Sequence, residues 1–145
     1  MKALIQRVKR VSVTIGGEVF SSINSGILIF LGVEKSDEKL NAEKLAQKIL
    51  NLRIFEDENE KMNLSILDVK GEIMVVSQFT LCGNCAKGTR PSFDNAAKSE
   101  MANELYEYFV KLMKVSTLKV ATGKFRAMME VSLINDGPVT FWVEK

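Results

Sequence analysis

Histidine is missing from all 145 residues of the chain, so any chemistry here proceeds without the commonest general base. Proline is scarce, with two in the chain, and no Pro/Ser-rich linker or internal repeat divides the sequence. No apolar run exceeds about eight residues, which excludes a helical bilayer span needing about 20. The opening Met-Lys-Ala-Leu-Ile-Gln-Arg lacks the apolar region and small-residue cleavage site of a signal peptide, and a cytoplasmic protein is expected. Charge of one sign is also lacking. The 20 basic and 18 acidic side chains leave a formal net charge of +2, far from the basic balance of many nucleic-acid binders. Local basic groups at Arg7, Lys9 and Arg10, at Lys87 and Arg90, and at Lys111, Lys114, Lys119, Lys124 and Arg126 read as solvated surface.

Cysteine is nearly absent as well, the two present forming one Cys82-x-x-Cys85 pair. A structural zinc site needs four ligands, and without histidine or a second pair this chain completes one only with carboxylates or a partner subunit. A thioredoxin-like motif opens a helix after a strand, whereas Gly83, Asn84 and Gly88 make this segment read as loop. Two free thiols in a surface loop are expected, with no metal and no cofactor. What is present, 46% apolar and 26% charged residues, suits one soluble globular domain over residues 1–145.

Apolar Ala3, Ile5 and Val8 alternate with Lys2, Gln6 and Arg7, and Val11, Val13 and Ile15 with Ser12 and Thr14, which predicts strands at 2–8 and 11–15. Gly16-Gly17 tolerates positive φ and predicts a hairpin into residues 18–23. After a turn at Asn24-Ser25-Gly26, the unbroken apolarity of 27–33 predicts a strand buried on both faces. Ser36 is the expected cap of a helix with Asp37 and Glu38 in its first turn, running to about Arg53. An acidic turn at 56–61 and an ambiguous stretch at 63–67 lead to a strand at 73–76. A second helix at about 96–114 places Ala97, Met101, Leu105, Tyr108, Phe109 and Leu112 on one face. Strands at 118–121, 126–134 and 139–143 follow, with turns at Thr122-Gly123 and Asp136-Gly137-Pro138. This order predicts an α/β domain, a mixed sheet covered by two helices.

Two polar stretches are set into this apolar pattern: Ser77-Gln78-Phe79-Thr80-Leu81 at the end of one strand, and Asn135-Asp136-Gly137-Pro138-Val139-Thr140 between two others. The first presents side chains and backbone N–H groups to a ligand, or alternatively forms a capped turn with Phe79 buried. Thr80 is a feeble nucleophile unless a neighbouring base takes its proton, and the motif supplies none. A substrate that brings its own reactive groups removes that difficulty. On composition, Gly137-Pro138 reads as a tight turn before the last strand.

These stretches, with Arg7-Val8 near the start and Arg90-Pro91-Ser92-Phe93 in the middle, recur in an order and spacing that closely resembles the D-aminoacyl-tRNA deacylases, homodimeric tRNA-editing hydrolases. The resemblance runs from Met1 to Lys145. It implies a compact, barrel-like α/β fold in a homodimer whose polar stretches converge at the subunit interface. It also implies hydrolysis of the ester of D-aminoacyl-tRNA, and of mischarged glycyl-tRNA, assisted by the RNA. There the vicinal ribose hydroxyl orients water and the ammonium activates the ester.

On this resemblance Ser77, Gln78, Phe79 and Thr80 form the catalytic segment, with the Phe79 and Thr80 amides holding the oxyanion. Ser77 and Gln78 fix the aminoacyl and adenosine ends. A Gly-cis-Pro step at Gly137-Pro138, braced by Arg7, enters the partner's pocket and occupies the space of an L side chain. Leu81, Phe125, Met129, Asn135, Val139 and Thr140 are the expected substrate-binding residues. Arg126 stands where relatives often carry a small residue, and the loop at 82–87 is not a fixed family feature. The alternative is a non-catalytic dimeric RNA-end or nucleotide-binding module, which the modest charge and absent acid-base groups equally allow.

Overall fold

The N-terminal alternation forms one strand rather than two: β1 spans Lys2–Ile15 in the computed structural model, which describes every residue from Met1 to Lys145. Lys9 and Arg10 stay within it because the ladder shifts register there, between Gln6 and Val8 and between Val8 and Arg10. Gly16 and Gly17, at φ 60° and 86°, turn the chain into β2 (Glu18–Ile23), which pairs with the second half of β1. β3 (Gly26–Gly32) pairs with the first half, buried on both faces as its apolarity predicts.

Helix α1 runs Lys39–Leu50, starting later and ending earlier than expected. Ser36 does not cap it. Asp37 turns inward instead, accepting the Met1 ammonium at 2.5 Å and the Glu34 N–H at 2.7 Å, so it cannot also sit in a helical first turn. Glu38 becomes the cap, its N–H donating to Asn41 Oδ1 at 2.9 Å. A small hairpin, β4 (Phe55–Glu56) and β5 (Met62–Leu64), fills the acidic and ambiguous stretches. β6 (Glu72–Ser77) then pairs parallel with β3.

Helix α2 (Ser99–Lys114) buries Leu105, Tyr106, Phe109, Val110 and Met113. Its inner stripe is therefore rotated from the expected one, leaving Tyr108 and Leu112 on the flank, and extended Lys98 starts it after Ala97. β7 (Val120–Thr122) pairs parallel with β6, and β8 (Glu130–Glu144) pairs antiparallel with β1 along nearly its whole length. The expected strand break at Asp136-Gly137-Pro138 is absent. The chain bulges inside one continuous strand, because five steps on β8, Asn135 to Thr140, answer two on β1, Val8 to Gln6.

One face of the sheet, with Ala3, Ile5, Ile27, Ile29, Ile73 and Val75, packs under both helices in a cluster of 22 buried residues, which makes this side the main core. The opposite face closes on itself. Val8, Val11, Val13, Ile23, Leu28, Met74 and Val76 form a smaller cluster there, and Ser21 Oγ donates to the Thr122 carbonyl at 2.7 Å, tying β2 to β7. The result is a barrel-like mixed sheet with two helices on one side. No helix is long and apolar enough to cross a membrane.

Candidate active site

Strands β3, β6 and β7 are parallel, and the chain segments leaving their C-terminal ends form one edge of the molecule, the usual place for ligands in such sheets. Beyond Ser77 the chain winds into a single 3-10 turn, Phe79–Cys82. Its hydrogen bonds run from Leu81 N–H to the Gln78 carbonyl at 3.2 Å and from Gly83 N–H to the Thr80 carbonyl at 3.0 Å. A helical turn leaves its first amides without internal acceptors, and here those belong to Phe79 and Thr80. Gln78 Nε2 donates to Thr80 Oγ1 at 2.5 Å, so the threonine oxygen is already an acceptor and its proton is free to donate. No carboxylate or amine bonds to it.

Phe79 is 57% exposed, so the capped-turn alternative with a buried Phe79 does not hold. Its ring lies 5.0 Å from that of Phe93. Leu81 packs its Cβ against Gly32. Phe125 and Met129 come to the same edge. Phe125 lies 5.9 Å from Tyr106, whose hydroxyl donates to the Val75 carbonyl at 3.0 Å. Met129 Sδ fills the space that a side chain on Gly123 would need, and Gly123 N–H bonds the Val75 carbonyl at 2.9 Å.

The second polar stretch is the bulge of β8. Its Gly137-Pro138 peptide is cis and both residues are exposed. Arg7, only 5% exposed, supports it from below. Nε donates to the Asp136 carbonyl at 3.0 Å, Nη1 to the Ile54 carbonyl at 2.7 Å, and Nη2 to Glu56 Oε1 at 3.3 Å. The brace grips the residue before Gly137, with a rigid fork suited to several acceptors at once. Asn135 closes the neck of the bulge: its Oδ1 accepts the Val139 N–H at 2.7 Å, and its Nδ2 donates to Thr140 Oγ1 at 3.0 Å. Val139 is buried beneath, against Gly137. Asn135, Val139 and Thr140 thus hold the bulge in shape.

Three bracing groups were not singled out in the sequence: Ile54, Glu56 and Gln6, whose Nε2 donates to Thr140 at 3.3 Å. None lies near the motif in the chain, so local pattern carries no sign of them.

The two stretches do not meet within one chain, and no hydrogen bond joins them. Ser77 is level with Leu31 and Ala3, whereas the bulge is level with Gln6 to Val8. That separation is about 13 Å along the strands and three strand spacings, about 14 Å, across them. A cleft of about 730 Å³ under the bulge is lined by charges of both signs, including Arg7, Lys70, Glu72 and Asp136, and by none of Ser77 to Leu81. It lacks the apolar lining of a typical small-molecule site.

The cysteines differ from the expected pair of surface thiols. Both are free, but Cys82 is buried with Sγ 3.4 Å from the Val33 carbonyl, and burial pushes its thiol pKa up. Only Cys85 is exposed. The 3-10 turn carries Cys82 inward under Gly32, a reversal that loop composition does not reveal.

Known proteins resemble this chain along its whole length. Curated D-aminoacyl-tRNA deacylases are 58% identical in Geotalea daltonii, over 99% of this chain and 96% of the relative, and 59% identical in Thermodesulfovibrio yellowstonii, over 97% of each. A solved structure named c-Myc DNA Unwinding Element Binding Protein, 44% identical, superposes with a TM-score of 0.94 over 100% of this chain and 99% of its own. A structure described as a probable eukaryotic D-amino acid tRNA deacylase shares the fold at a TM-score of 0.84 with 14% identity, covering 99% and 98%. The family described as D-Tyr-tRNA(Tyr) deacylase matches residues 4–144, a span that takes in the exposed amides after β6 and the braced bulge on β8 alike, and the chain belongs to that family.

Proposed function

We propose that the chain is a tRNA-editing hydrolase that cleaves the ester of D-aminoacyl-tRNA, and of glycyl-tRNA, releasing the amino acid and the tRNA. One observation carries this reading: the edge after β6 offers free amides and a hydroxyl, with no acid or base bonded to Thr80. Such a site suits a substrate that supplies its own reactive groups. The ammonium beside an aminoacyl ester makes its carbonyl electrophilic, and the vicinal ribose hydroxyl positions the attacking water. The Phe79 and Thr80 amides then hold the oxyanion, each donor contributing on the order of 10²-fold in rate. Ser77 and Gln78 orient the aminoacyl and adenosine ends, while Phe125 and Met129 line the pocket wall. The need for charged tRNA points to the cytoplasm as the compartment.

Stereochemical selection falls to the bulge of a second copy. β8 has one unpaired edge, and Trp142, Leu4 and Phe30 stand in register across β8, β1 and β3 as a partly exposed apolar row leading to Val76. A homodimer seated on that row covers it and brings the Gly137-Pro138 main chain of one copy to the Ser77 to Thr80 edge of the other. Backbone carbonyls there exclude an L side chain and leave room for a D one or for none.

Deacylation of matched D- and L-tyrosyl-tRNA, with a mass measurement in solution, tests both parts. Rapid release from the D ester only, by a dimer, is expected. Equal rates on the two esters refute the selection, and a fully active monomer refutes the shared site. A second reading, beside a similar solved structure named for DNA binding, is a non-catalytic dimeric RNA-end or nucleotide-binding module. That reading predicts tRNA binding with no release of amino acid.

A further inference from the structure

We propose that a basic rim, Lys87 and Arg90 on one loop and Lys124 and Arg126 on another, holds the phosphates of the RNA strand whose end enters the Ser77 to Thr80 edge. The inference takes its RNA from the functional reading above and adds the residues that grip the strand rather than the ester.

Both loops are anchored at that edge. Asn84 and Ser92 exchange backbone hydrogen bonds of 2.8 and 3.0 Å, closing a loop that carries Lys87 and Arg90 and ends at Phe93, in contact with Phe79. On the other side, β7 ends at Thr122 opposite Val75, so the turn that carries Lys124 and Arg126 leaves the sheet beside the end of β6 at Ser77. All four cations are exposed, and none forms an ion pair. The carboxylates nearest them in sequence, Asp94 and Glu130, leave them free. Asp94 instead accepts the Ser92 hydroxyl at 2.7 Å. Elsewhere on the molecule Lys2, Arg7, Lys9, Lys39 and Lys119 have acidic partners, while the other eleven basic side chains, Lys70 and Lys98 among them, form no ion pair. What sets these four apart is their place, two on each of the loops that follow β6 and β7 at the Ser77 to Thr80 edge.

Arg126 is presented by a tight turn. A turn closed by Ala127 N–H on the Lys124 carbonyl at 3.2 Å sets Arg126 in its third position at φ 62°, where glycine fits best. A long cation is held there against backbone preference, exposed and without a partner inside the molecule. Glu60, Lys70 and Thr117 take similar angles elsewhere, and what distinguishes Arg126 is its place beside the Ser77 to Thr80 edge. At the foot of the first loop, Phe79 and Phe93 are 57% and 38% exposed, with ring centroids 5.0 Å apart, and offer a stacking surface for bases. Aromatic faces beside cations match single-stranded RNA better than an acidic protein.

The test is binding of uncharged tRNA to the full-length protein between about 50 and 200 mM salt, read alongside cleavage of D-tyrosyl-tRNA. Replacing all four cations by alanine should flatten the slope of log affinity against log salt by roughly 3, at about 0.7 to 0.9 per contact. Arg126→Gly should flatten it by one such step while the melting temperature holds or rises, because glycine accepts the backbone angle. A wild-type slope in the fourfold variant overturns the proposal. So does an Arg126→Gly protein that melts earlier yet binds normally. If the wild type binds tRNA with a slope the variant loses but cleaves no ester, the rim stands and the editing function falls. If it cleaves the ester while the slope stays unmoved in the variant, the editing function stands and the rim falls.

Discussion

Arg7 Nε holds the main-chain carbonyl of Asp136 at 3.0 Å, so the residue preceding Gly137 is fixed by a buried guanidinium that also bonds the Ile54 carbonyl. The exposed tip of the bulge is positioned from inside the protein. Arg7→Ala leaves two carbonyls without their donor and should lower stability by about 2 to 4 kcal/mol in urea unfolding. It should also erode the preference for D over L esters, and Arg7→Lys, which keeps the charge but not the fork, should fall between. An unchanged urea midpoint in Arg7→Ala would contradict this.

Gly137 has φ 137°, and a Cβ there would lie 2.6 Å from Val139 Cγ2. Gly137→Ala should cost about 1 to 3 kcal/mol of stability. Its effect on the D-over-L ratio should exceed that of Thr80→Ala, because it displaces the wall that selects the substrate. Full chirality with wild-type stability in the alanine variant would argue against the wedge.

Thr80 has an amide neighbour, Gln78, rather than a base. Thr80→Val should therefore slow deacylation by about tenfold or less, whereas loss of an essential nucleophile costs about 10⁴-fold or more. Rapid quench and mass spectrometry should find no acyl-enzyme. A covalent adduct on Thr80 would end the RNA-assisted account.

Thiol titration of the native protein should modify Cys85 promptly and Cys82 only after unfolding, since one is exposed and the other buried with a raised pKa. Cys85→Ser should retain deacylation. Loss of activity in that variant would return the redox reading to consideration.

Stability should fall at both ends of the pH scale and stay flat between. Asp57 is held below the usual carboxylate range by the Lys61 and Asn59 amides, and Asp68 by the Ser65 hydroxyl and amide. At Glu72, burial pushes the pKa up, but Lys119 and the Asn24 amide outweigh it and leave the group lowered. With lowered values the folded chain binds fewer protons than the unfolded one. Their stabilisation is complete above the ordinary glutamate value of 4.5 and is lost as pH drops through the folded values. Burial raises Cys82 and Tyr106, and a bond to Glu34 raises Lys2. Their contributions are complete below the ordinary thiol value of 9.0 and decline as pH climbs. Without histidine, the urea midpoint should not move between about pH 5 and 7. A transition centred near pH 6 would overturn this.

Much of the architecture was legible in the order of residues. The unbroken apolar run of β3 announced a strand buried on both faces, the Gly16-Gly17 pair marked the turn from β1 into β2, and the hydroxyl-amide cluster after β6 marked the candidate site. Each of these depends on neighbours in the chain, because side-chain periodicity records which face of an element meets the core. Family likeness named the remaining candidate residues without saying how they are held.

Long-range pairing decided the rest. β8 continues through Gly137-Pro138 because β1 supplies a ladder on both sides of the bulge, a fact absent from the composition of the turn itself. Asp37 left its helix for the Met1 ammonium, and Cys82 was carried under Gly32. Arg7 acquired acceptors 47 and 129 positions away. Local pattern determines what a segment prefers to become; which partner satisfies its buried donors and acceptors is settled only when the chain closes on itself, since every such group must find one there.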